Sequence, residues 1–342
     1  MPNLKKAALL AIAITLVVMT WWEVYLRSRK YPISFDENNA LFANNRAMVY
    51  EPKNSATVFI GSSRIKFDLD IKTWESITGN HAIQLANTGS DPKPYLNDLA
   101  NDNNFTGKLV IDVTEGLFFD PGPPDREAIE KIAYYHKITP TQRFSFQVNR
   151  VLESSFVFLE EHNFSFNALL DKSGFPKRPT VFSFPIFPVG FTCNTFDRQC
   201  FMTPEFVKDT AQQNQMKAVW AFFGSLPGPP PASGKLLDSI FNIVKINIDK
   251  IKKRGGDVIF VRTPSSGPVL EEEHKYFPRK IYWDQLLKST GCKGIYFSDF
   301  PAISNFSCPE SSHLSPADAI VYTKNLIKYL EEAGWKFYKK PA

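Results

Sequence analysis

Short apolar runs rich in β-branched residues recur along the chain, separated by longer stretches with helical periodicity. Each run is four to six residues long, shows little alternation and mostly leads into Gly, Ser, Thr or Asp, as strands buried on both faces of a parallel sheet do. The predicted strands are 57–60, 83–86, 109–113, 258–262 and 295–298. The predicted helices are 92–103, 204–223, 235–253, 274–289 and 316–333. Alternating strands and helices predict an α/β fold of three layers, with right-handed crossovers and about five parallel strands.

The amino terminus has a different pattern. Residues 7–22 form a run of sixteen residues without a charge, preceded by Lys5 and Lys6. As a helix this run is roughly 24 Å long, which suits either a signal peptide or a single membrane anchor. No small residues mark a cleavage site, and Trp21 and Trp22 close the run as interfacial aromatic residues would. We therefore predict an uncleaved transmembrane anchor within residues 1–27. The lysines favour a cytoplasmic amino terminus, although basic residues also follow the run.

Composition and charge narrow the class of protein. The chain has 342 residues, of which 43% are hydrophobic and 22% charged, which excludes a disordered or fibrous protein. The mean hydropathy of -0.22 excludes a bundle of membrane spans. The 40 basic and 35 acidic residues give a net charge of +5 that is too small and too scattered to indicate a nucleic-acid partner.

Three regions are predicted: the anchor, a linker or cap at 28–54, and an α/β body at 55–342. An insertion of well over a hundred residues, at about 116–234, separates the third and fourth strands and is rich in Phe and Pro. Its aromatic residues either form a small core of their own or line a lid or groove for an acyl chain, a glycan or a membrane partner. The sequence leaves both open.

The four cysteines form two close pairs in sequence, Cys193 with Cys200 and Cys292 with Cys308. We predict disulfides Cys193–Cys200 and Cys292–Cys308, which would place the body in an oxidising compartment. Free buried thiols are the first alternative. A zinc site is the second, but the Cys-x-x-Cys spacing is missing, and we predict no metal.

Two short motifs could carry chemistry. The first strand runs into Gly61-Ser62-Ser63-Arg64, and a serine at the carboxyl end of a parallel strand is placed as a nucleophile, or simply as a helix N-cap. Near the end of the chain, Glu310 and His313 lie three residues apart, before a helix that begins near Ser315. That spacing lets the carboxylate orient the imidazole so that its other nitrogen can deprotonate a serine. The alternative is a surface pair.

The order of these motifs resembles the SGNH (GDSL-like) hydrolase superfamily. Gly61-Ser62-Ser63-Arg64 resembles its first block, and Glu310-Ser311-Ser312-His313-Leu314 resembles its last block, with Glu in place of Asp. Gly89 stands where the second block has its glycine. The third block, Gly-x-Asn-Asp, is absent, and residues 110–116 stand in its place. This absence and the amino-terminal anchor are similar to the membrane-anchored branch that resembles alginate O-acetylation and teichoic-acid D-alanylation proteins.

The resemblance implies a fold, an activity and a location. It implies a flavodoxin-like α/β/α body in which Ser63 attacks an acyl carbonyl, His313 takes the proton, Glu310 orients His313, and the N–H groups of Ser63 and Gly89 form the oxyanion hole. The acyl group would pass to a polysaccharide hydroxyl or to water without a cofactor, and a membrane-bound O-acyltransferase would be the partner. The implied location is the bacterial cytoplasmic membrane, with the catalytic body facing the periplasm or cell exterior.

Two other functions remain open from the sequence. The missing third block favours a non-catalytic protein that binds a glycan or serves as a scaffold of an envelope acylation complex. A periplasmic acetyl esterase would use the same three residues.

Four further residues are candidates for substrate binding. Arg64, Arg262, Ser265 and Arg279 could bind an anionic or hydroxyl-rich substrate, although each arginine could instead form a structural salt bridge. Asp112 or Glu115 could pair with Arg64 or Arg262, and the sequence does not choose between these pairings.

Overall fold

The computed structural model describes residues 2–174 and 185–337. It is an α/β protein in which a five-stranded parallel sheet is flanked by helices. Its strands are β1 (Ala56–Ile60), β2 (His81–Gln84), β3 (Lys108–Asp112), β4 (Cys193–Asn194), β5 (Cys200–Phe201), β6 (Asp257–Arg262) and β7 (Lys293–Tyr296).

The helices follow in chain order. They are α1 (Pro2–Ser28), α2 (Asn39–Arg46), α3 (Ser63–Asp68), α4 (Ile71–Thr78), α5 (Lys93–Asn101), α6 (Glu115–Phe118), α7 (Arg126–Lys137), α8 (Pro140–Glu153), α9 (Glu161–Phe164), α10 (Phe166–Lys172), α11 (Pro204–Lys208), α12 (Thr210–Ser225), α13 (Gly234–Lys253), α14 (Gly267–Tyr276), α15 (Trp283–Thr290) and α16 (Pro316–Glu332). Short 3-10 helices are Ala47–Tyr50, Val157–Leu159 and Phe297–Asp299.

The sheet has the strand order β2-β1-β3-β6-β7, and every neighbouring pair is parallel. The five predicted strands are confirmed to within about two residues at each end. β1 and β3 are buried along their whole length, as their unbroken apolar runs predict. β1 lies between β2 and β3, so the residues that follow it stand at the carboxyl edge of the sheet beside the ends of those two strands.

The helices pack in two groups, in keeping with a three-layer arrangement. One group contains α3, α4 and α16, and the other contains α5, α7, α13 and α15. Two predicted helices are each interrupted. Asp209 caps α12 by accepting the N–H groups of Ala211 and Gln212, so residues 204–223 form two helices. Residues 274–289 are divided by the turn at Pro278, where the carbonyl accepts the Ile281 N–H at 2.9 Å.

The amino-terminal helix is long and apolar enough to span a membrane. Asn3–Ser28 has a hydropathy of 2.0 and its most apolar window is fully exposed. The segment predicted as a linker or cap packs on the body: Phe42 of α2 and Val49 belong to the main core. Residues 28–54 therefore connect α1 to the body through packed structure.

The aromatic insertion contains a second hydrophobic core. Residues 175–184 of the insertion lie outside the described residues. Phe191, Met202, Phe206 and Met216 pack there against Phe67 of α3. The insertion thus forms a core of its own, which is joined to the helix that begins at Ser63.

The predicted disulfides are not formed, because all four cysteines are free and buried. In the β4–β5 hairpin Asn194 pairs with Cys200, whereas Cys193 pairs with Phe201. Since side chains alternate along a strand, Cys193 and Cys200 point to opposite faces. Cys292 lies at the amino end of β7, whereas the Cys308 N–H bonds to Ser266, beyond the carboxyl end of β6. The cysteines therefore give no support to an oxidising compartment.

We predict that the folded full-length chain resists thiol reagents and that all four thiols react after unfolding. Burial raises the pKa of the Cys193 and Cys308 thiols, which lowers the reactive thiolate fraction at neutral pH. Mass spectrometry after alkylation in detergent, with and without denaturant and without reductant, measures this. Fewer than four adducts in denaturant would show that a disulfide exists.

Candidate active site

Ser63 lies at the carboxyl end of β1, as the first residue of α3. Ser62 caps this helix through the Arg64 N–H, which leaves Ser63 free of the capping role. Position 61 requires glycine because its neighbours leave no room for a side chain: a β-carbon there would lie 2.6 Å from Cβ of Asp112 and 2.9 Å from Cγ2 of Ile65. The turn therefore holds Ser63 at the carboxyl edge of the sheet, next to the end of β3.

The three residues predicted as a catalytic triad are brought together. The Ser63 hydroxyl lies 2.8 Å from Nε2 of His313, and Nδ1 of His313 lies 2.9 Å from Oε1 of Glu310. His313 and Glu310 are buried, whereas Ser63 is partly exposed. Because the Glu310 carboxylate accepts from the Nδ1 side, Nε2 is free to accept the serine proton. This is the geometry of a nucleophile, a base and an orienting carboxylate.

The loop that carries His313 is tied to two other elements. The Leu314 N–H donates to Oδ1 of Asp68 on α3 at 3.0 Å. The Ser266 N–H, after β6, donates to the carbonyl of Ser311 at 2.9 Å, and Ser311 has a left-handed φ of 80°. The loop is thus fixed from both sides, which sets the position of the imidazole against the Ser63 hydroxyl.

Trp220 of α12 donates its indole N–H to Oε2 of Glu310. The Glu310 carboxylate also accepts the backbone N–H of His313 at 2.6 Å. With the imidazole, three donors satisfy a carboxylate that has no contact with solvent, as a buried charge requires. The sequence reasoning missed Trp220, because nothing near residue 220 indicates a partner 90 residues away.

The candidate oxyanion-hole glycine lies in the same cavity as Ser63. Gly89 follows β2 in a left-handed conformation with φ of 64°, and it lines the cavity together with Ser63 and Thr114. Thr114 occupies the carboxyl end of β3, where the third motif block is missing, and its hydroxyl lies 2.6 Å from the Ser62 hydroxyl. Thr114 is a second residue that the sequence reasoning did not select.

The cavity beside the triad has a volume of about 890 Å³. One part is aromatic: Phe67, Phe187, Phe191, Trp220 and Phe223 line it around His313. The rings of Phe67, Phe191 and Trp220 lie 4.5, 5.7 and 5.9 Å from the His313 ring. Four of these five aromatic residues come from the insertion, so the insertion lines a groove as well as forming its own core.

The other part of the cavity is acidic. Asp36, Glu37, Glu160 and Glu161 line it. Burial, which outweighs the hydrogen bond from the Glu161 N–H, raises the pKa of Asp36 to about 6. Burial alone would also raise the pKa of Glu37, but the charges of Arg198, Lys66 and Lys131 hold it well below the usual value. The cavity therefore has an acidic lining as well as an aromatic one.

Three predicted substrate-binding residues are instead joined in an ion network. Arg262 is buried and bonds to Glu115, Glu273 and the Ser265 hydroxyl, and Ser265 donates to Glu273 at 2.7 Å. Arg64 lines the cavity, but its guanidinium is bound to Glu273 and Ser312. Arg262 and Ser265 do not line the described cavity, because their polar groups face acidic partners inside the protein.

Arg279 lies on the surface and pairs with Asp284 and Asp299. It does not line the cavity beside Ser63. All three arginines form structural salt bridges, the alternative that the sequence also allowed.

Two buried carboxyl groups support the site without touching it directly. Burial raises the pKa of Asp68 well above its usual value and the pKa of Asp112 to about 6. Asp112 accepts the Thr263 hydroxyl at 3.0 Å and the Thr114 hydroxyl at 3.3 Å. Asp112 thereby links β3 to β6 directly beneath Gly61.

No protein-family model matches the chain, and a search of curated proteins found no match. Within residues 2–174 and 185–337, no group of three or more His, Cys, Asp or Glu side chains is placed to hold a metal ion. The assembled serine, histidine and glutamate are therefore the basis for assigning a function.

We predict that the stability of Asp112→Asn relative to wild type is greater at neutral pH than at acid pH. The folded protein holds the Asp112 proton to a higher pH than the unfolded chain does, so wild-type stability falls as the pH rises from about 4 to about 6. Asparagine does not ionise; its oxygen can still accept the Thr263 hydroxyl, and its amide group can donate to the Thr114 hydroxyl oxygen in place of accepting from it. The difference in unfolding free energy, variant minus wild type, should rise by about 2 kcal/mol over this range, out of about 3 kcal/mol for the complete titration.

Denaturant unfolding of the full chain in detergent at several pH values measures this difference. A difference that stays constant across the range would show that Asp112 does not titrate with a raised pKa.

Proposed function

We propose that the protein is a membrane-anchored serine acyl ester enzyme of the SGNH type that transfers an acyl group, most simply acetyl, to a hydroxyl of a cell-envelope or exported polysaccharide. The observation that carries the proposal is the 2.8 Å contact between the Ser63 hydroxyl and Nε2 of His313, with Glu310 on the other imidazole nitrogen. The order of the residues and the α/β sheet support the superfamily assignment. The apolar helix α1 supports the anchor.

The proposed reaction has two balanced steps. In the first, the Ser63 oxygen attacks the acyl carbonyl while its proton moves to Nε2 of His313. The oxyanion accepts hydrogen bonds from the N–H groups of Ser63 and Gly89, and the donor alcohol leaves with the proton from His313. In the second, an acceptor hydroxyl attacks the acyl-serine, gives its proton to His313 and becomes the new ester, and Ser63 regains its proton.

The cavity supports transfer to a large acceptor. Its volume of about 890 Å³ lies in the upper part of the range for small-molecule sites, so it has room for an acyl group and a sugar together. The aromatic residues beside His313 suit stacking on a sugar ring or contact with the acyl group. Bacterial origin, a catalytic body outside the cytoplasmic membrane and a membrane-bound O-acyltransferase as acyl donor belong to the same proposal and rest on the resemblance.

We predict that Ser63 reacts with a fluorophosphonate in the full-length protein in detergent micelles. The labelled residue is found by peptide mass spectrometry. His313→Ala should abolish the labelling because no base remains to take the proton. Ser312→Ala is the matched control and should label as wild type, because Ser312 also lines the cavity but bonds to Arg64.

Labelling of Ser63 that survives His313→Ala would contradict the proposed base. Absence of labelling in a folded protein would favour the non-catalytic scaffold. For a reactive protein, mass spectrometry of 4-nitrophenyl acetate reactions with and without an oligosaccharide separates acetyl transfer from hydrolysis.

We predict that Trp220→Phe slows labelling of Ser63 by at least about tenfold. The substitution keeps an aromatic ring but removes the donor to Glu310, and a hydrogen bond to a charged group contributes about 1.5–3 kcal/mol. Phe187→Leu is the control, because Phe187 also comes from the insertion and contacts the Trp220 ring but not the carboxylate. Equal slowing by both variants would assign Trp220 a packing role only.

A further inference from the structure

Helix α8 ends beside the carboxyl end of α1. The Glu23 carboxylate on α1 accepts the backbone N–H groups of Val157 and Phe158, each at 3.1 Å. Arg27, one turn further along, donates to the carbonyl of Ser155 at 2.8 Å. Since α8 ends at Glu153 and the uncharged run of α1 ends at Trp22, α8 ends next to the point where the apolar part of α1 stops.

The outward side of α8 is apolar. Phe144, Val148, Val151 and Leu152 follow the spacing of one helical face, and they are 71%, 46%, 63% and 44% exposed. In a helix that only covers a soluble core, this face would be turned inward. No residue of α8 is buried.

The side of α8 that faces the protein is the opposite one. Phe146 stacks on Phe196 with 6.1 Å between ring centroids, and the Arg150 guanidinium lies 4.3 Å from the centre of the same ring. At about 100° per residue, Phe146 and Arg150 lie across the helix from Phe144 and Val148. The orientation of α8 is thus fixed by contacts of its polar and aromatic side, and this orientation exposes the apolar side.

Helix α10 continues this pattern. Its exposed apolar residues have the i, i+3, i+4 spacing of one face. These α10 residues are Phe166, Leu169 and Leu170, and we call the four α8 residues Phe144, Val148, Val151 and Leu152 the apolar outer face. Basic residues accompany it on α8 and at the end of α1. These exposed residues are Arg29, Lys30 and Arg143.

We propose that the apolar outer face lies in the interface of the bilayer that α1 spans, on a surface containing anionic phospholipid. Three observations favour lipid over a protein partner. The face is tied to α1 through Glu23 and Arg27, next to the interfacial ring of Trp21. It combines aromatic and aliphatic residues with arginines, as interfacial helices do. The basic residues nearby suit anionic head groups.

This docking bears on the site. Glu160 and Glu161 line the cavity and follow directly after the 3-10 helix Val157–Leu159, whose first residues bind α1. The acidic residues Glu160 and Glu161 of the cavity are therefore held close to the bilayer surface. The inference rests on α1 spanning the membrane, but it does not depend on catalysis by Ser63.

The test uses the full-length chain in vesicles of phosphatidylcholine and phosphatidylglycerol. Single cysteines carrying an environment-sensitive fluorophore report contact with brominated lipids through quenching, and the buried native thiols leave the added cysteine as the reactive one. Phe144→Cys and Val151→Cys report the apolar outer face. Asn149→Cys is the matched control on the other side of α8, and Leu10→Cys reports α1.

We expect brominated lipids to reduce emission about twofold at positions 144 and 151, because an interfacial helix buries its apolar face about 5–10 Å deep. Position 149 should stay unquenched. Quenching at position 10 without quenching at 144 and 151 would overturn the docking while leaving the anchor, and would point to a protein partner for the face. No quenching at position 10 would overturn the anchor and the inference with it. Equal quenching at 144 and 149 would show that α8 has no preferred side toward lipid.

Discussion

The hydrogen bond between Ser63 and His313 joins residues 250 positions apart in the chain, and the architecture of the site depends on it. A serine hydroxyl becomes a useful nucleophile only while a base stays within hydrogen-bond distance. The first strand supplies the serine and the last loop supplies the base. The contacts of Asp68 with Leu314 and of Ser266 with Ser311 set their separation. The cost of this arrangement is the burial of the Glu310 charge, which three donors offset.

One of these three donors makes the insertion part of the site. Trp220 belongs to α12, and its ring contacts the second core through Phe187 and Phe191. The same core holds Phe67, which is on α3 only four residues after Ser63 and stacks near His313. The aromatic insertion is thus joined to the nucleophile helix by packing and to the triad carboxylate by a hydrogen bond. A change in the packing of α12 would reach Glu310 directly.

The sequence predicts the sheet and the proximity of Ser63, His313 and Glu310 well, for a local reason. Each strand is a short, uniformly apolar run, and each triad residue lies in a short motif at a strand end or before a helix. Long-range pairing is what the sequence does not show. Trp220 is one of many aromatic residues until α12 places it against Glu310. From the sequence, Arg262 is a candidate for substrate binding, but the fold places Glu115 and Glu273 around it. Cys193 and Cys200 do not pair because the hairpin register is offset by one residue.

The division of charge in the cavity follows from the same long-range packing. Glu37 would be costly to ionise in its buried position, yet Lys66, Lys131 and Arg198 converge on it and keep it charged. Lys66 is on α3, so the helix that presents Ser63 at its first residue also anchors the acidic part of the cavity one turn later. Asp36, the neighbour of Glu37, accepts the Glu161 N–H at 2.8 Å. This bond holds the segment that directly follows the residues bound to α1. One continuous set of contacts therefore runs from α3, the helix that begins at Ser63, to the carboxyl end of α1.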